Sequence, residues 1–130
     1  MKNILFLIFF VPIIISCSQN EEKIVTKVEG DKLEQQMIKA YNEGVTALEQ
    51  GDVLYASKKF NEAELLYPQS DWAPRSSLMA SYAYWTQGYY SNSIDELKRF
   101  LKIYPKSKNL DYAYYLLAMN YYDSIVDEKK

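Results

Sequence analysis

Three stretches follow one another along the chain, separated by the way apolar positions are arranged. Residues 4–15 are apolar and uncharged without a break, behind a single Lys2. Residues 18–32 carry seven charges and no aromatic side chain. From residue 33 onward apolar residues recur at helical spacing. Leu78, Tyr82, Trp85 and Tyr89 stand at i, i+4, i+7 and i+11, one face of a 3.6-residue period. Ala80, Ala83 and Tyr84 mark a neighbouring face that can pack on the next helix. Gly51 and Gly88 are placed to end helices, where a left-handed residue is cheapest as glycine. Pro68 and Pro105 are placed to stop them, because the ring lacks a donor and clashes with the preceding turn. Asp71 is a candidate N-cap with Pro74 in the first turn behind it. The pattern predicts an all-α domain over 33–130, with helices at about 33–50, 53–67, 71–87, 91–104 and 109–126.

The helical region also repeats itself. With an offset of 37 residues, Gly51, Ala56, Phe60, Ala63, Tyr67 and Pro68 align with Gly88, Ser93, Leu97, Phe100, Tyr104 and Pro105. Repeats of 20 to 50 residues indicate solenoids. The small residues Ala56 and Ser93 let two antiparallel helices approach, and Phe60 and Leu97 fill the space between them. This spacing resembles the second half of a tetratricopeptide repeat. The resemblance implies antiparallel helix pairs in a short right-handed solenoid, with repeats at about 37–70 and 74–107 and an incomplete repeat at 111–130. Of the first-helix signature only Gly44 matches; Ala40 and Glu43 stand at its other positions.

The N-terminal run is too short to cross a bilayer, which needs roughly 20 apolar residues, and Pro12 interrupts it. It reads as the apolar core of a signal peptide over 1–16. The run closes on Ile14-Ile15-Ser16-Cys17, which resembles a bacterial lipobox, so Cys17, the chain's single cysteine, is the expected lipid attachment site. One acyl chain anchors only marginally, and the two or three of a bacterial lipoprotein hold firmly. Ser18 stands where many inner-membrane lipoproteins carry Asp, which by the same resemblance favours the outer membrane. Residues 17–32 bury too little apolar surface to order themselves and read as a lipidated flexible tether, spanning on the order of 20 Å.

Composition removes several function classes. Fifteen basic and 17 acidic residues leave a formal charge of −2, without the basic excess of a nucleic-acid binder. One cysteine makes no disulfide framework, and the absence of histidine excludes a histidine base or metal ligand. No phosphate loop, metal spacing or nucleophile motif appears, so no cofactor, metal or catalytic residue is assigned. Asp95 and Arg99, at i and i+4, read as a surface ion pair.

What remains is tyrosine, 13 in all and every one after residue 40. On a repeat stack the first helix of each pair lines the concave face. That places Tyr41, Val45 and Leu48, then Leu78, Tyr82 and Trp85, then Tyr112, Tyr115, Met119 and Tyr122 along one groove. Tyr and Trp join a large apolar area to a polar tip, which suits peptide recognition. Tyr82, Trp85 and Tyr115 are the strongest groove candidates, since most aromatics at helical spacing belong to the core. Arg75 at the groove mouth could hold a peptide carboxylate in a bidentate pair.

Two strings carry a closer likeness. They are Tyr67-Pro-Gln-Ser-Asp-Trp72-Ala73 with Ser81-Tyr-Ala-Tyr84, and Arg99-Phe-Leu-Lys-Ile-Tyr104-Pro105 with Asp111-Tyr-Ala-Tyr-Tyr115 leading to Tyr121-Tyr122. They resemble the BamD (ComL) family of the outer-membrane β-barrel assembly machinery, whose members continue beyond this chain with further repeats. The resemblance implies a non-catalytic, lipid-anchored scaffold on the periplasmic face of the outer membrane. Its implied partners are a BamA-like POTRA barrel protein, other assembly lipoproteins and unfolded barrel-protein segments, and the chain would hold the half that receives those segments. Readings that share the anchor and helices are a cell-envelope or pilus-assembly adaptor and a regulator of a peptidoglycan hydrolase.

Overall fold

The computed structural model describes the backbone of residues 19–127 and the side chains of residues 30–126. The expected signal peptide and Cys17 lie outside the described residues. Five helices follow in order: α1 (Gln19–Glu49), α2 (Val53–Leu66), α3 (Trp72–Thr86), α4 (Tyr90–Ile103) and α5 (Leu110–Asp127). Each packs on the next in the chain, and α3 also touches α5. The all-α, tetratricopeptide-like expectation therefore holds, and four of the five helices lie within a residue or two of their predicted bounds.

The exception is α1. It begins at Gln19 rather than near 33, so the backbone of 19–32 is helical rather than the flexible connection its composition suggested. Low apolar content removes a reason to pack, but it does not forbid a helix. The costly first turn is already supplied by the packed region of α1 around Met37, Ala40 and Ala47. Upstream of it the sequence offers Glu and Lys, which propagate a helix well, and no proline.

The repeat is visible down to single hydrogen bonds. Gly51 and Gly88 have φ of 82° and 75°. The N–H after each glycine reaches back five residues: Asp52 donates to the Ala47 carbonyl at 2.9 Å, and Tyr89 to that of Tyr84 at 3.0 Å. The glycines themselves donate to Leu48 and Trp85, both at 3.0 Å. This double bond pattern is the Schellman closure of a helix. Pro68 and Pro105 each follow a C-cap tyrosine, Tyr67 and Tyr104. Asp52 then caps α2, its carboxylate accepting from the Tyr55 N–H at 3.1 Å. Asp71, the expected cap of α3, sits at that position in a helical conformation without a side-chain bond.

Between helices, Phe60 is the central filler, fully buried among Ala47, Val53, Ala56, Ala80 and Ala83. Gly44 of α1 lies so close that an added Cβ would stand 2.9 Å from the Phe60 ring. In the next repeat Leu97 takes the same role, with Leu78, Phe100, Ala113 and Leu116 around it. The pairs Ala56/Ser93, Phe60/Leu97 and Ala63/Phe100 are all fully buried, so the aligned positions do equivalent work.

Candidate functional site: an aromatic face on α3 and α5

Helix α3 is built to be buried on one side and to offer aromatics on another. Ala73, Ser76, Ser77, Ala80 and Ala83 are fully buried small residues that admit α2 and α4 closely. Tyr82 and Trp85 lie beside the Leu97–Phe100 core, half-buried, with their rings 5.8 Å apart. On α5, Ala113 and Leu116 are the buried anchors, and Tyr112 and Tyr115 rise beside them, 44% and 58% exposed. Their rings are 6.3 Å apart. Partial burial holds the Tyr112 phenol above its ordinary range, and the Tyr82 and Tyr115 phenols beside it add to the upward push. Tyr82, Trp85, Tyr112 and Tyr115 are thus brought to one face.

A carboxylate ties this face together. The Trp85 indole N–H donates to Asp123 Oδ2 at 2.8 Å, joining the end of α3 to the end of α5. The bond fixes the indole, so the ring edge left uncovered is presented in one orientation. Tyr122 continues the α5 face and is 65% exposed.

The remaining candidates are placed differently. Tyr41 meets Phe60 edge-on at 5.3 Å and Trp72 at 5.2 Å, so its ring is a packing element between α1, α2 and α3. Burial raises its phenol, and Arg75 pulls the other way. Val45 and Leu48 pack against the Phe60 core. Leu78, expected in the groove, is 5% exposed and belongs to the core instead, because its side of α3 is covered by α4 and α5. Arg75 is exposed and stacks on the Trp72 ring at 4.7 Å. It lies on α3 about 10 Å along the axis from Tyr82, at 1.5 Å per residue.

The expected Asp95–Arg99 pair is replaced by a better one. Arg99 turns inward and meets Glu64 with two bonds, at 2.9 and 2.6 Å. It also donates to Glu96 at 2.8 Å and to Ser77 Oγ at 3.0 Å. The Tyr104 hydroxyl donates to Glu64 Oε1 at 2.7 Å. Burial and the Glu64 carboxylate hold the Tyr104 phenol well above its usual range, and Glu64 does the same to the Arg99 guanidinium. The sequence holds one weak signal for this cluster, Glu64 at the third residue before a Tyr-Pro stop; its partner lies in the next repeat.

Among the described residues no helix is long and apolar enough to cross a membrane, and no group of three His, Cys, Asp or Glu could hold a metal ion. The fold and this face define a helical-repeat protein with a partly exposed aromatic surface. Its kin are specific. The YfiO family profile, described as "Outer membrane lipoprotein", matches residues 33–130, and the chain belongs to that family. It is 37% identical over 87 residues to an outer membrane protein assembly factor BamD of Caulobacter vibrioides, covering 67% of this chain and 28% of that protein. A protein of the same name from Rickettsia prowazekii is 31% identical over 87 residues, covering 67% of this chain and 35% of its own length. The one from Pasteurella multocida is 30% identical over 79 residues, 61% and 30% of the two chains. The chain thus spans about a third of the curated relatives it matches. No solved structure matches it.

Proposed function

We propose that this chain is a lipid-anchored, non-catalytic scaffold of the outer-membrane β-barrel assembly machinery. It would be held at the periplasmic face of the outer membrane through Cys17. The aromatic face of Tyr82, Trp85, Tyr112 and Tyr115, extended by Tyr122, receives extended segments of unfolded barrel proteins, while Tyr41 and Arg75 stand apart from it around Trp72. A BamA-like POTRA protein and other assembly lipoproteins are its expected partners. Membership of the family supports the assembly role, and the four clustered rings, two of them broadly exposed, support the peptide-binding role. Strand-forming segments rich in aromatics gain most from such a surface, because each ring joins a large apolar area to a polar tip, a phenol hydroxyl in the tyrosines and an indole N–H in Trp85.

The test has two arms. Affinity capture from detergent-solubilised outer membranes should recover a POTRA-containing barrel protein, and recovery of none would count against the partner. Replacing Cys17 with Ser should release the chain from membranes; unchanged attachment would remove the anchor.

A further inference from the structure

Helix α2 buries one side and leaves the other open. Val53, Ala56, Phe60, Ala63 and Glu64 face the interior. Leu54, Lys58, Glu62 and Leu65 stand at i, i+4, i+8 and i+11, so they share the outward face. Leu54 is 55% exposed and Leu65 76%, the most exposed large apolar side chain among the described residues. Lys58, Glu62 and Leu65, with Leu66 and Tyr84, line an open groove of about 600 Å³. Leu54 lies one turn further along the same face, about 6 Å from Lys58 at 1.5 Å per residue. The second repeat shows that the fold does not require these leucines. Moved forward by 37 residues, the buried positions stay buried, as Ala56/Ser93, Phe60/Leu97 and Ala63/Phe100 do. The outward ones change character: Leu54 becomes Ser91, Tyr55 becomes Asn92 and Leu65 becomes Lys102, all exposed.

Single exposed apolar residues are ordinary. A face with leucines at both ends and opposite charges between them has a definite symmetry. Read backwards, Leu54, Lys58, Glu62 and Leu65 give leucine, glutamate, lysine and leucine. We propose that the outward face of α2 is a docking site for a second copy of this chain, the two α2 helices lying antiparallel about a twofold axis level with Phe60. Leu54 of each copy packs on Leu65 of the partner subunit, and Lys58 meets Glu62 of the partner subunit. Each contact then occurs twice, as an isologous interface requires. Parallel pairing would set like charges side by side, so charge selects the antiparallel arrangement. Among the described residues Lys58 has no ion-pair partner within the chain. Glu62 engages Lys59 through Oε2 at 2.9 Å, and Oε1 is the oxygen offered across the axis. One helix face is small beside the roughly 1,200 Å² of a stable complex, so the pair is weak and depends on concentration. No residue of the aromatic face on α3 and α5 takes part, so the inference stands apart from the peptide-binding role above.

The test is sedimentation equilibrium of the purified full chain in density-matched detergent micelles, at protein concentrations rising to about 1 mM, which reaches a weak pair. The wild type should approach twice the monomer mass. Lys58→Glu and Glu62→Lys should each stay monomeric, because each sets like charges face to face in both contacts. Their equimolar mixture should dimerise again, since both contacts between the unlike copies join opposite charges. Leu65→Ser should stay monomeric, and circular dichroism checks that every variant is folded. A wild type that is monomeric throughout overturns the proposal. So does a mixture no more associated than its two components, or a Leu65→Ser chain that still dimerises. A different protein that copurifies with the wild type and is lost with Leu65→Ser, while the purified chain stays monomeric, overturns it as well and gives the face to that partner.

Discussion

Glu64 and Arg99 are 35 residues apart in the chain and are joined by two hydrogen bonds, at 2.9 and 2.6 Å, across the boundary between repeats. The carboxylate is 5% exposed and the arginine side chain 35%. Removing one partner of a buried pair leaves the other charge stranded, at a cost of roughly 3–5 kcal/mol. Arg99 keeps some of its hydration, which discounts the loss. Glu64→Ala should therefore cost about 2 kcal/mol in urea unfolding. The double change Glu64→Leu with Arg99→Met should recover much of it. A double variant no more stable than the single one would show that the pair matters through something other than charge.

The Trp85–Asp123 bond offers an optical readout. Asp123→Ala removes the acceptor at 2.8 Å from the indole N–H. A stability loss of about 1 kcal/mol is expected, with a change in Trp85 emission. Trp72 is the other tryptophan, so the experiment is cleanest in a Trp72→Phe background.

Glycine positions separate backbone from packing effects. Gly51→Ala and Gly88→Ala put a Cβ on residues with φ of 82° and 75°, which costs about 1 kcal/mol each. Gly44→Ala meets the Phe60 ring at 2.9 Å instead, and overpacking of that kind costs roughly 1–3 kcal/mol. Thermal unfolding should rank Gly44→Ala as the most damaging, and shortening the ring with Phe60→Leu should relieve that variant alone.

Acid should weaken a second link between α1 and α2. Lys59 bridges Glu43 at 2.8 Å and Glu62 at 2.9 Å. The bond from Lys59 holds the Glu43 carboxyl below its ordinary value of 4.5. A carboxyl depressed in the folded chain adds stability above its unfolded value and loses it as pH falls through the folded one. The melting temperatures of the wild type and Glu43→Gln should differ at neutral pH and converge as pH drops below 4.5. A gap independent of pH would break the assignment.

Much of this fold was legible because its signals are local. Gly51, Gly88, Pro68 and Pro105 mark helix ends by backbone geometry alone, and Phe60 and Leu97 declare a core by period. The start of α1 was not legible, since composition reports whether a segment can pack rather than whether a helix can extend through it. Arg99 was assigned to Asp95 by proximity in sequence, and a partner in another repeat leaves no trace at helical spacing. Tyr41 and Leu78 carry the same groove register as Tyr82 and Trp85, yet Trp72, α4 and α5 cover them. Which aromatics stay open depends on neighbours that a single period does not encode.

The two glycine turns end their helices with the same pair of back-reaching bonds, at Gly51–Asp52 and Gly88–Tyr89. A chain built with interchangeable joints changes length in whole units. Splicing Gly51 directly to Tyr89 would join one joint to its own copy, so the path on either side would be undisturbed. The extent of the aromatic wall is then a matter of how many units are strung together, while its local shape is written once in the joint.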